Sequence, residues 1–183
     1  MKKLILKILL GLVLILVLFL VFVATRSADY RASRSLAIAA PPDVLFGWVN
    51  NHRKFNEWNP WLKLDPNVKN TYSGPEAGVG AACSWDGDSN IGAGTATITE
   101  SKPGELVRMR MEWKRPMEGV GTVEFTFKPE GDKTVVTWLM YGKNGFMGKL
   151  VSVFIDCDAM VGPKFEEGLA SLAAIATRQP AGK

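Results

Sequence analysis

The hydrophobic rhythm of the chain changes three times. From Ile8 to Ala24, 17 consecutive residues carry no charge and are nearly all Leu, Val, Ile or Phe, and Leu4-Ile5-Leu6 extends the run past Lys7. A helix over Leu4–Ala24 rises roughly 31 Å at about 1.5 Å per residue, which matches a bilayer hydrocarbon core of about 30 Å. A core helix of a soluble domain would show a polar stripe, and this run has none. It is read as a membrane-spanning segment.

Beyond it the period falls to two. Leu36 and Ile38 alternate within a first strand, Tyr30–Ala39. Pro41-Pro42-Asp43 opens a short helix, Val44–Asn50, because proline suits the first helical position. A second short helix, His52–Trp58, stops at Asn59-Pro60, where the residue before proline is pushed out of the helical region. Val68–Tyr72 is a weak strand, and Val79, Ala81, Cys83 and Trp85 share one face of the next. Ala93–Ser101 and Leu106–Trp113 follow, the latter alternating Val107, Met109, Met111 and Trp113 with Arg108, Arg110 and Glu112. Val120–Lys128 sets Val123, Phe125 and Phe127 on one side, and Thr134–Tyr141 closes the series. In that last strand Trp138 and Met140 have the opposite parity from Val135 and Leu139, which leaves its register open between a bulge and a doubly covered strand. Short strands separated by turn signals predict one antiparallel sheet with a single wet face.

The final change is to helical spacing. Phe146–Ile155 and Lys164–Thr177 are predicted helices, the second with Phe165, Leu169, Leu172 and Ala176 on one face. Gly162-Pro163 is expected to kink or restart that helix, since proline lacks the amide hydrogen. A sheet with one apolar face and a long terminal helix is expected to curl around the helix. The predicted fold class is α+β: a curved antiparallel sheet wrapped on a C-terminal helix, with two short helices after the first strand and one transmembrane helix in front. Residues 1–26 form the anchor, 27–178 the domain and 179–183 a flexible tail.

Several motifs sit on this frame: Pro41-Pro42 before a short helix, Trp58-Asn59-Pro60-Trp61, Gly74-Pro75, Gly78-Val79-Gly80, Trp85, and the ending Phe165-Glu166-Glu167-Gly168-Leu169-Ala170-Ser171-Leu172. With the element order, they make Tyr30–Ala176 resemble the START/Bet v 1-like (SRPBCC) superfamily, within it the polyketide cyclase/dehydrase and lipid transport group. The resemblance implies a helix-grip fold with a hydrophobic cavity between curved sheet and long helix, holding an apolar or amphipathic molecule. It does not imply one activity, since such a fold serves carriers, sensors and cyclases alike.

Charge narrows the classes. The net charge of +4 belongs to the anchor, because 18 basic residues balance 18 acidic ones in Ser27–Lys183. No basic stripe is left to neutralise phosphates, so nucleic acid is not an expected partner. The apolar run is longer than a signal-peptide core, and the positions before Ala24 and Ala28 are filled by Phe22 and Arg26, so an uncleaved anchor is favoured over a cleaved signal. Lys2, Lys3 and Lys7 precede the run, whereas Arg26, Arg31 and Arg34 are partly offset by Asp29. The positive-inside rule then favours a cytoplasmic N-terminus and a domain on the outer (periplasmic or extracellular) face.

Candidate chemistry is sparse. Cys83 and Cys157 lack metal spacing; they permit one disulfide in an oxidising compartment, and two buried, unpaired thiols are the favoured reading. The only histidine, His52, lies in Asn50-Asn51-His52-Arg53-Lys54 and is read as a solvated surface group. Glu57, Asp65, Asp86, Asp88 and Glu112 are possible acids or bases, but most sit in turns, where Asp is expected anyway. Asp156 and Asp158 suit helix capping. No metal, cofactor or catalytic group is assigned. The aromatics and methionines carry the stronger signal: Trp85, Met109, Met111, Trp113, Phe125 and Phe127 share the apolar strand faces and suit an adaptable pocket, with Trp58 and Trp61 at its mouth. The expected function is a membrane-anchored protein holding a lipid, fatty acyl or polyketide-like molecule. The alternatives are a cyclase-, dehydratase- or hydrolase-type enzyme using cavity carboxylates, and an envelope interaction protein with a vestigial pocket.

Overall fold

A computed structural model describes residues 2–178; the tail expected over 179–183 lies outside the described residues. Helix α1 (Lys2–Thr25) is the apolar segment, and only Arg26-Ser27-Ala28 separate it from strand β1 (Asp29–Ile38). Helices α2 (Pro42–Val49) and α3 (His52–Trp58) and a single 3₁₀ turn (Pro60–Lys63) follow. Strands β2 (Lys69–Ser73), β3 (Ala82–Asp86), β4 (Ala93–Lys102), β5 (Leu106–Arg115), β6 (Gly119–Glu130) and β7 (Lys133–Lys143) lead to α4 (Phe146–Ser152) and α5 (Cys157–Ala176). The strands make one seven-stranded sheet of order β1-β7-β6-β5-β4-β3-β2, antiparallel throughout. The sheet curves around α5, which packs chiefly against β1.

The open register of β7 resolves without a bulge. Thr134, Val136, Trp138 and Met140 are buried on the concave face, and Val135, Thr137 and Leu139 are half-exposed on the other. Two further expectations shift at their edges. Val79 stands outside β3 and is exposed, because Gly78 and Gly80 take positive φ (80° and 89°), a conformation no strand uses. The helix at Phe146 stops at Ser152, short of Ile155.

Helix α5 begins seven residues before Lys164 and runs straight through Pro163. Two devices hold it together there. Asp156 caps it by accepting a hydrogen bond from the Asp158 amide (2.8 Å). Arg34 of β1 grips Asp158 with Nη1 (2.8 Å) and Nη2 (3.0 Å) and Glu166 with Nε (2.7 Å), so one guanidinium straddles the proline. Gly162 lies directly beneath it, and any Cβ there would collide with Nη2.

Candidate functional site

Alternation on β5, β6 and β7 lays side chains in rows across the concave face. One row reads Tyr30, Gly142, Gly121, Met111, Ala96 and Cys83 from β1 to β3. The next reads Ala32, Met140, Val123, Met109 and Ile98, and the third Arg34, Trp138, Phe125 and Val107. The floor therefore climbs from glycine and alanine at one end to large aromatics at the other.

At the high end the interior is an aromatic cluster centred on Trp138. Its ring stacks on Phe165 of α5 (4.4 Å between centroids, 9° between planes) and lies 4.7 Å from Phe125. Trp58, Trp61 and Phe55 meet it edge-on at 5.6, 5.6 and 6.0 Å. Trp58 is the last residue of α3 and fully buried, and its Nε1 donates to the Trp48 carbonyl at the end of α2 (3.2 Å). Trp61 sits on the 3₁₀ turn that Asn59 caps by accepting from the Trp61 amide (3.2 Å). It is half-exposed, as is Phe55. Among the described residues, Trp138 Nε1 is the one buried side-chain nitrogen or oxygen without a hydrogen-bond partner. Leaving such a donor unpaired costs about 1–3 kcal/mol.

At the low end the packing loosens. Tyr30 lies across Gly121 and Gly142, whose missing side chains make room for its hydroxyl, and Trp113 leans over Gly119 and Gly121. Tyr30, Met111, Trp113, Cys157 and Val161 are all partly buried against the core. Burial, then the neighbouring Cys157, raises the Tyr30 hydroxyl above its ordinary value, so it stays a donor.

The eight residues expected to line or gate a pocket thus fall into three settings. Trp58, Met109, Phe125 and Phe127 are core. Trp61, Met111 and Trp113 are half-buried at its margins. Trp85 closes the β3–β4 hairpin, with its ring over Gly94 and its Nε1 donating to the Ile91 carbonyl (3.2 Å). Trp138, Phe165, Phe55 and Tyr30 join the site without being among those eight; helical spacing places Phe165 on the inner face of α5, and the shared parity of Trp138 and Met140 is the signal in the sequence for the first.

Among the hollows that the described residues form on the surface are two that take no lining residue from α5. One, of about 330 Å³, is bordered by His52, Arg53, Tyr72, Ser73, Gly74, Pro75, Glu76, Ala81 and Ala82. The other, of about 520 Å³, lies at the β5–β6 hairpin beside Trp113, Lys114 and Glu118. His52 is therefore not the solvated group its neighbours suggest. It is 4% exposed, with Nε2 3.2 Å from the Ala81 carbonyl, and burial holds its pKa below the ordinary value while that hydrogen bond opposes. Asn51 causes the inversion: its side chain caps α3 by accepting from the Arg53 and Lys54 amides, which turns the next ring inward.

The thiols are unbonded, Cys83 buried and Cys157 half-buried. Burial, followed by Asp156 and Asp158, raises the Cys157 pKa; burial likewise raises that of Cys83, against the hydrogen bond from Asn56. Four of the five candidate carboxylates are occupied structurally, Asp88 by the Asn90 amide (2.8 Å). Asp65 accepts from the Asn67 and Asp88 amides (2.9 Å each), Asp86 pairs with Arg115, and Glu112 pairs with Arg110 (3.1 Å). No group of three or more metal-ligating side chains forms among the described residues.

A family model described as polyketide cyclase / dehydrase and lipid transport matches residues 30–177. The chain belongs to that family. No curated protein matches it. Its fold is shared by solved structures of low identity. The di-domain ARO/CYC StfQ from the steffimycin biosynthetic pathway is 12% identical, with a TM-score of 0.60 over 82% of this chain and 51% of its own. Major latex-like protein 151 from Panax ginseng is 11% identical, with a TM-score of 0.58 over 81% of this chain and 98% of its own. The Aha1 dimer from Colwellia psychrerythraea is 17% identical, with a TM-score of 0.57 over 80% and 95%. Family and fold together suggest a hydrophobic-ligand-binding or cyclase-like domain, behind an N-terminal helix apolar enough to span a membrane.

Proposed function

We propose that this family member is a membrane-anchored protein that holds an apolar or amphipathic small molecule, of lipid, fatty acyl or polyketide-like chemistry, between the sheet and α5. In this reading α1 is a retained single-pass anchor, with the N-terminus cytoplasmic and the domain on the outer face. The observation that carries the ligand is the unpartnered Trp138 N–H inside an otherwise apolar cluster. A long apolar body with one acceptor oxygen satisfies that donor and asks for nothing else but contact. The rings close over the position, and in this reading Trp61, half-exposed on its short turn, is the member that yields on entry. To extend over the floor of Gly142, Gly121 and Ala96 the apolar body displaces Tyr30 and Trp113, which lie across those glycines and are only partly buried. Trp58, Met109, Phe125 and Phe127 form the walls.

Trp138→Phe tests the reading in the full-length chain, with displacement of a fluorescent fatty-acyl probe as the readout and native mass spectrometry to detect a co-purified species. The variant loses one ring but also removes a buried unpaired donor, so its melting temperature stays close to that of the parent. Probe affinity falls roughly tenfold, the worth of one hydrogen bond near 1.4 kcal/mol. Equal affinity in parent and variant, or no probe binding by the parent, overturns the proposal.

A further inference from the structure

We infer that α4 and the turn after it form a second contact with the bilayer, an apolar foot lying in the membrane interface beside α1. The inference rests on α1 being a retained membrane span. Phe146, Met147, Val151, Phe154, Ile155 and Met160 are exposed, at 47%, 58%, 36%, 75%, 48% and 60% of their surfaces. On α4 they follow helical spacing, Phe146 with Leu150 and Met147 with Val151, so they make one stripe. Phe154 and Ile155 prolong it through the turn, and Met160 continues it onto α5. An apolar surface of this extent on an otherwise charge-balanced domain calls for a partner.

Its position says which partner. The Phe154 ring lies 6.3 Å from that of Phe19, inside the apolar run of α1. Phe19 precedes Ala24, the last residue of that run, by five positions, or about 7.5 Å along the helix axis. A membrane that accommodates α1 therefore encloses Phe154 at nearly the same depth, within the 5–10 Å to which interfacial helices sink. The polar groups agree. Lys149 directs its ammonium to the Ala24 carbonyl (3.1 Å), an acceptor at the end of α1 that no helical amide satisfies, and Arg26 stands at the same level. The two carboxylates within this segment are both engaged, Asp156 in capping α5 and Asp158 in its pair with Arg34. The foot also adjoins the loose end of the concave face, since Cys157 and Val161 of α5 follow it directly.

The test uses the full-length chain in phosphatidylcholine vesicles. Cys157→Ser removes the half-exposed thiol, and buried Cys83 resists labelling, as a sample without an added cysteine verifies. An environment-sensitive fluorophore is then placed through Phe154→Cys, Met147→Cys or, as control, Asp132→Cys in the β6–β7 turn, and quenched with lipids brominated along the acyl chain. The labels at 154 and 147 shift to the blue and are quenched; the label at 132 is not. If the chain withstands alkaline extraction while labels at 154 and 147 behave like the control, the foot is overturned and the anchor stands. Labels there that shift blue without quenching by brominated lipid indicate a protein partner and overturn it as well. Release of the chain at alkaline pH overturns the anchor and the foot together.

Discussion

The two ends of the concave face are built from the same alternating strands and end in opposite states. Around Trp138 the rings of Phe125, Phe55, Trp58 and Trp61 fill the interior, and α5 presses Phe165 onto it face to face. Around Gly121 the strands supply glycine and alanine, and the side chains covering them remain partly open to solvent. The difference lies in side-chain volume alone, because pairing is unbroken through both ends of β6 and β7. A helix-grip domain with this floor is packed ring on ring at one end and covered by partly exposed side chains over small residues at the other.

The widest way to break the comparison is truncation at each end. Phe125→Ala, in the packed cluster, should cost about 3–5 kcal/mol, as Phe→Ala changes do in cores. Met111→Ala, half-buried on the small-residue row, should cost under about 2 kcal/mol. Urea midpoints give both values, and similar losses would mean that the two ends are packed alike. A smaller effect is expected from Gly162→Ala. The new methyl displaces the Arg34 guanidinium from Asp158 and Glu166, and the helix loses its grip around Pro163. It should lower the melting temperature less than Phe125→Ala does, with hydrogen exchange rising first in the opening turns of α5. Exchange rising evenly along α5 would mean that the clamp is dispensable.

The smallest effect is on pH. Burial keeps the folded His52 pKa below the ordinary 6.5, so the unfolded chain takes up a proton that the folded ring refuses. That contribution is intact above about pH 6.5 and is lost as pH falls toward the folded value. Asp158, held low by Arg34, adds a loss of the same sign at more acidic pH. Stability should drop as pH falls below about 6.5, and His52→Gln should flatten that fall. An unchanged slope in the variant would place the titration elsewhere.

Much of the frame was legible because single strands carried it. The Val107, Met109, Met111, Trp113 alternation of β5 requires no partner to be read, and neither does the charge-free run of α1. Trp138 was harder: its outward neighbours Val135 and Leu139 are as apolar as its inward ones, so parity alone did not choose a face. His52 failed for a different reason. Its buried setting depends on a carbonyl 29 residues away, at Ala81, and on a cap that reverses its direction. The continuity of α5 through Pro163 likewise depends on Arg34, 124 residues before Asp158. Local pattern supplies elements and faces; the Trp138–Phe165 stack and the Arg34 clamp exist only after folding brings β1, β7 and α5 together.

The three residues between α1 and β1 have a further consequence. Fully extended, they span at most about 10 Å, so under the proposed anchoring the domain would be held to the bilayer on a leash shorter than its own radius. It would not tumble freely, and one edge of the sheet would always face the lipid. A molecule dissolved in that leaflet would then reach the domain by lateral diffusion, a search in two dimensions, without crossing water first.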